Sequence, residues 1–200
     1  MPARDRWNHN SHYHRVVLRA IPDAARSAID VGFGDGDLVR ALAERVHRVV
    51  GVDADVGVVQ RARTSGLDAS GDVTVMRADV LRARFPNEPF DVVACIAVVH
   101  HLPLEAGLER LRDLTAPGGV LVIVGLAREH SAWDWIVTAL AVPANRIARM
   151  LRGEFQHGSP IADPQESYGE VRAAAKRILP GVRYRRRLYW RYTLVWRRPV

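Results

Sequence analysis

The sequence predicts an α/β protein built on a doubly wound, mostly parallel sheet of seven strands. Apolar runs rich in Val and Ile alternate with helical patterns from Ala28 to Gly125, the order of a parallel sheet with crossover helices. The run Phe90–Ile96, FDVVACI, is apolar on both faces, as a central parallel strand must be when helices cover both its sides. Two runs of alternating character, 182–187 and 191–197, follow the last helical pattern and read as two further strands.

Composition bounds the rest. Two hundred residues with 48% hydrophobic and 26% charged content suit one soluble domain, 1–200, with a substantial core. No apolar run approaches the roughly 18 residues that span a bilayer, and MPARDRWNHN lacks the apolar stretch of a signal peptide. Cys95 is the single cysteine, so an internal disulfide is excluded and a cytoplasmic setting is expected. The net charge of +7 is concentrated: residues 182–200 hold seven arginines and no acid, and without them bases and acids balance at 22 each. Such an end is a solvated strand face or a surface for nucleic acid or an acidic substrate.

Taken in order, residues 1–22 form an N-terminal cap: Asn10 or Ser11 starts a helix through Tyr13, Val16, Val17 and Ala20, and Pro22 ends it. His9, His12 and His14 lack an acid or cysteine to complete a ligand set, so no metal is expected. Ala28–Gly36, AIDVGFGDG, is a buried strand running into three glycines at alternate positions. Leu38, Val39, Leu42, Ala43 and Val46 then follow at helical spacing. This unit lets backbone N–H groups touch a ligand. Its spacing is G-x-G-x-G, with Asp37 where a dinucleotide fingerprint has its third glycine. Asp30, Asp35 and Asp37 surround the turn with carboxylates that repel a pyrophosphate and favour a cation, which argues against a nicotinamide dehydrogenase.

Arg48–Asp53 is the second strand, and Asp53 stands 21 residues after Gly32, where an acid accepts both ribose hydroxyls. Asp55 caps the next helix, through Val56, Val59, Ala62 and Arg63, and Gly66 ends it. Val73–Ala78 is the third strand, with Asp79 after it as either a ligand acceptor or a turn cap. Asp91 opens the fourth strand at the end away from ligands, which makes it structural. Ile96, Ala97 and Val98 leave that strand at the ligand end, small or apolar enough to line a pocket, with His100 and His101 just beyond. Leu104–Leu114 is an amphipathic helix, 116–119 a turn, Val120–Gly125 the fifth strand and Glu166–Leu179 the last helix.

These motifs resemble class I S-adenosylmethionine-dependent methyltransferases of the small-molecule type. Asp30, Gly32, Gly34 and Gly36 match the family's D-x-G-x-G-x-G motif, and FDVV followed by HHL resembles its fourth motif. The N-P-P-Y or D-P-P-Y signature of base-modifying nucleic-acid enzymes is absent. The resemblance implies a Rossmann-like methyltransferase fold whose last strand runs antiparallel, with a helical insertion after strand five. It implies S-adenosylmethionine as cofactor, leaving S-adenosylhomocysteine as product. The cofactor set would be Tyr13, His14, Asp30, Gly32, Phe33, Gly34, Gly36, Asp53, Ala54, Asp79, Val80, Ile96 and Ala97. Asp53 would take the ribose, Asp79 and Val80 the adenine, and Tyr13 and His14 would close the pocket.

His is the natural base near neutral pH, which makes His100 and His101 the catalytic candidates, with His157 in the insertion. Residues 128–165, with helical stripes at Trp133–Ala141 and Ile147–Leu151, form either a substrate lid or a packing or dimer surface. The expected activity is methyl transfer to an O, N or C atom of a small molecule, by a monomer or homodimer that binds neither membrane nor nucleic acid. The alternatives are an RNA or protein methyltransferase using the arginine-rich end, and a cofactor-binding protein without turnover.

Overall fold

The computed structural model describes residues 13–69, 71–128, 164–187 and 191–200. The strands are β1 (Ser27–Val31), β2 (Arg48–Asp53), β3 (Val73–Arg77), β4 (Phe90–Ile96), β5 (Thr115–Leu126), β6 (Arg183–Arg187) and β7 (Arg191–Arg197). They form one sheet in the order β3-β2-β1-β4-β5-β7-β6. β1 pairs in parallel with both β2 and β4, β2 with β3, and β4 with β5. Only β7 opposes the rest, pairing antiparallel with β5 and β6. Chain order reverses between β1 and β4, which opens a crevice at their carboxyl ends, the usual ligand position of such sheets.

Helices cover both faces, as the doubly apolar strands require. On one face α1 (His14–Leu18), α2 (Asp37–Ala43) and α3 (Val56–Thr64) bury Val17, Leu42 and Val59 against Ala28, Val49 and Val122. On the other, α4 (Leu104–Leu114) and α5 (Tyr168–Ile178) bury Leu108, Leu111, Val171 and Ala175 against Ile29, Val93, Ile123 and Leu194. Asp55 caps α3 by accepting from Gly57 and Val58 N–H, and these two bonds hold its carboxyl below its ordinary range. Gly66 follows α3 at φ +69°, a left-handed stop. Asp91 ties the amino edge of the sheet: its Oδ2 accepts from Arg26 N at 2.8 Å and from Ser27 N and Oγ at 2.9 Å.

Three local readings change. The expected turn at 116–119 lies inside β5 as an irregularity, with the β4–β5 register shifting between Phe90 and Val92. Gly118 sits at φ +76° and donates to the Arg198 carbonyl, while Arg198 donates to Gly119, so the chain end straps this segment into the sheet. The first described helix, His14–Leu18, ends short of the expected Ala20 and has Tyr13 at its N-cap with no side-chain cap bond; the expected caps Asn10 and Ser11 lie outside the described residues. The last helix begins one residue after Ser167, not at Glu166. There Ser167 and Glu170 satisfy each other's backbone N–H groups as a capping box. The candidates His9, His12 and His157, and the stripes at 133–141 and 147–151, also lie outside the described residues.

Candidate active site

The glycine turn stands at the carboxyl end of β1, within the crevice. Gly32, Gly34 and Gly36 all have left-handed φ, +74°, +54° and +78°, which side-chain-bearing residues rarely adopt. Their surroundings differ. A Cβ on Gly32 would overlap the side chain of Val98, so the turn and the end of β4 are in direct contact. A Cβ on Gly34 would meet nothing within 4 Å: its α-carbon faces open space. Phe33 points the other way, 5% exposed, with its ring beneath Gly51 of β2. Only its backbone is therefore available to a ligand.

Acids surround this opening. Asp53 ends β2 and accepts Gly34 N–H through Oδ2 at 3.3 Å and Asp55 N–H through Oδ1 at 3.0 Å. Asp30 is 2% exposed, and burial, reinforced by the Asp53 charge, pushes its pKa up to about 7. Asp37 pairs with Arg40 at 3.4 Å, so its negative charge is partly neutralised. Ala54 is exposed beside Asp53, and its carbonyl accepts from Arg77 Nε. Asp79 lies just past β3, where its Oδ1 accepts from Leu81 N at 3.0 Å as a turn cap, and its half-exposed carboxylate lies 3.6 Å from Arg82. Both readings of Asp79 are compatible with that arrangement. Val80 is buried, with its carbonyl held by Arg110 Nε at 3.0 Å.

The other wall comes off β4. Ile96 is 8% exposed; Ala97 holds φ +56°, a left-handed conformation outside glycine, with its N–H donated to Val124 O at 2.7 Å. Such strain is held by surrounding structure and clusters where ligands bind. Val99–His101 forms a short 3-10 turn in which the imidazoles of His100 and His101 lie 4.2 Å apart. Burial, then the neighbouring His101 and Arg191, pull the His100 pKa down to about 4, so its ring is neutral at physiological pH. Its Nδ1 is buried without a hydrogen-bond partner among the described residues. Tyr13 is 5% exposed and His14 half-buried, both at the start of α1.

Val98, expected with Ile96 and Ala97 at the end of the fourth strand, fixes the approach of Gly32 to β4. One contributor was not singled out in the sequence. Arg191 opens β7 opposite Leu126, the last residue of β5, and so stands at the carboxyl edge. Burial pulls its pKa down, and it lies within electrostatic reach of Tyr13, Tyr168 and His100. Its place in an arginine-rich tail concealed it.

A glycine turn at the β1 switch point, an acid ending β2 and an antiparallel β7 together define the Rossmann-like methyltransferase class. This chain belongs to the class I S-adenosylmethionine-dependent methyltransferases, enzymes that take their methyl group from that cofactor. The methyltransferase domain family matches residues 28–119. An uncharacterised methyltransferase of Mycobacterium tuberculosis is 34% identical, over 97% of this chain and 98% of its own length. A ubiquinone biosynthesis O-methyltransferase of Xylella fastidiosa is 29% identical, over 84% of this chain and 68% of its own. Among solved structures, the N-methyltransferase NodS of Bradyrhizobium japonicum bound to S-adenosylhomocysteine shares the fold. Its TM-score is 0.62 at 16% identity, covering 98% of this chain and 93% of that one.

Proposed function

We propose that this enzyme methylates an O, N or C atom of a small molecule, with the glycine turn and Asp53 holding the cofactor and His100 acting on the acceptor. The observation that carries this reading is the open space at Gly34, edged by Asp53 on one side and joined through Gly32 and Val98 to the histidine turn on the other. The residues fit the group: a cation beside Asp30 offsets the cost of burying that carboxylate, and a side chain at Gly34 would occupy the opening. Bound there, S-adenosylmethionine supplies an electrophilic methyl on a sulfonium. Displacement in line asks the protein chiefly for positioning and a dry site.

In this reading Asp53 accepts the ribose hydroxyls, and Asp79 accepts from the adenine amino group with Val80 beside the ring. The Gly32, Phe33, Gly34 and Gly36 backbone, Ala54, Ile96 and Ala97 line the cofactor, and Tyr13 and His14 cover it. His100, neutral above a pH of about 4 and so a weak base, takes the acceptor's proton as the new bond to methyl forms and the acceptor atom turns cationic, with His101 against it. Residues 128–165 serve as the acceptor lid within a single domain. In support, the chain leaves and rejoins the sheet at one place: Arg128 N donates to Glu166 O at 2.8 Å, and Arg128 bridges Ser167. The small-molecule reading is supported by the ubiquinone biosynthesis O-methyltransferases among the relatives.

The test is turnover of a panel of phenolic, carboxylate and amine acceptors, with S-adenosylhomocysteine binding measured alongside. His100→Ala is expected to lower kcat roughly 10²–10⁴-fold on an acceptor that must lose a proton, with cofactor affinity unchanged. An unchanged kcat on such an acceptor removes His100 from the chemistry.

A further inference from the structure

A second concave surface lies between α1 and the sheet edge formed by β6, on the face opposite α4 and α5. Its volume is about 660 Å³, and six arginines among the described residues line it: Arg15 and Arg19 from α1, Arg183, Arg185 and Arg187 from β6, and Arg197 from β7. Among the described residues no acid lines it, and none of the six pairs with a carboxylate. Two are fixed by neutral acceptors, Arg187 Nε to Thr193 Oγ1 at 3.1 Å and Arg197 Nη2 to the Ala20 carbonyl at 3.2 Å. Arg15, Arg19, Arg183 and Arg185 are exposed. This is one concentrated positive field on a chain that is otherwise close to neutral.

Three kinds of anionic surface compete for such a groove. A bilayer is flat and takes apolar anchors. The exposed large hydrophobic residues among those described are Val56 and Val200, and neither lines the groove. Single-stranded nucleic acid takes aromatic rings on which bases stack, but Tyr13, the aromatic residue lining this groove among the described residues, is only 5% exposed. A carboxylate-rich chain needs neither. Arg183, Arg185 and Arg187 alternate along β6, so their guanidinium stems repeat at roughly 6.8 Å. Carboxylates on alternate residues of an extended segment repeat at the same interval. Arginine forks match carboxylates in a planar, two-bonded geometry.

We propose that this groove docks an extended, acid-rich segment of a partner protein, a function separate from the methyl-transfer site. Its Arg187 end pairs with Arg191 at the carboxyl edge, so a docked segment ends beside the mouth of the crevice. The test is fluorescence anisotropy of the full chain with a labelled oligoglutamate peptide, compared with an oligouridylate of equal charge and with anionic vesicles. Arg183→Glu/Arg185→Glu on one wall and Arg15→Glu/Arg19→Glu on the other should each weaken peptide binding roughly tenfold or more. The control Arg45→Glu/Arg84→Glu makes the same change in net charge on exposed residues elsewhere and should leave it near the wild-type value. S-adenosylhomocysteine affinity, measured on every variant, reports folding and tests the other site separately. Equal loss in the control, or tighter capture of the RNA or vesicles through the same arginines, overturns the proposal.

Discussion

Burial holds the Asp30 carboxyl near a pKa of about 7, far above its ordinary 3.8, and this has a readable sign. Between those two values the folded chain keeps a proton that the unfolded chain has released, so this group's contribution to stability is lost as pH rises from about 4 to about 7. Asp30→Asn should remove that slope from thermal unfolding curves across the window. A cationic ligand favours the ionised form. The affinity for S-adenosylhomocysteine, which carries an ammonium, should therefore rise with pH through about 7 in the wild type and stay flat in the variant, with proton release visible by calorimetry in buffers of different ionisation enthalpy. In the ribose assignment proposed above, Asp53 acts by hydrogen bonding. Asp53→Ala should weaken cofactor binding by roughly 1–3 kcal/mol, and an unchanged Kd removes the ribose assignment.

At the scale of elements, the glycine turn separates folding from binding. Gly34→Ala meets no neighbour, so its cost to stability should be only the roughly 1–2 kcal/mol of a left-handed alanine, while its methyl enters the opening and cofactor affinity falls steeply. Gly32→Ala adds an overlap with Val98 and should lower the Tm much further. Equal thermal losses for the two would mean that the open side of Gly34 is filled in solution. The turn, the strand carrying Asp53 and the alternation of strands with helices were legible because glycine spacing and doubly apolar runs are local signals, while the antiparallel last strand was implied by the family resemblance. The sequence also marked Asp55 as a cap and Asp91 as structural, since each follows from position within its element. The irregularity in β5 was not legible: A-P-G-G reads as a turn, and only the distant Arg198 holds it in the sheet. Phe33 likewise joined the cofactor set by its place in the motif, whereas its ring direction is decided by the gap at Gly51. Arg191 became visible only once β7 was laid against β5.

Across the molecule, the sheet has one edge that holds and one that binds. Asp91 gathers three donors at the amino edge, remote from the crevice at the carboxyl ends. Asp91→Ala should therefore cost roughly 2–3 kcal/mol in urea unfolding and leave cofactor affinity unchanged. A fall in affinity would show that the two edges are coupled through β4. The bridge between Arg128 and Ser167 has a different kind of consequence. Two points of chain already held side by side can be joined by a segment of almost any length, since doubling such a segment adds only about 0.6 kcal/mol of closure entropy. The length of the stretch between them can therefore change at little cost to the fold, and on the lid reading proposed above a change of acceptor there would leave the donor half of the enzyme folding as before.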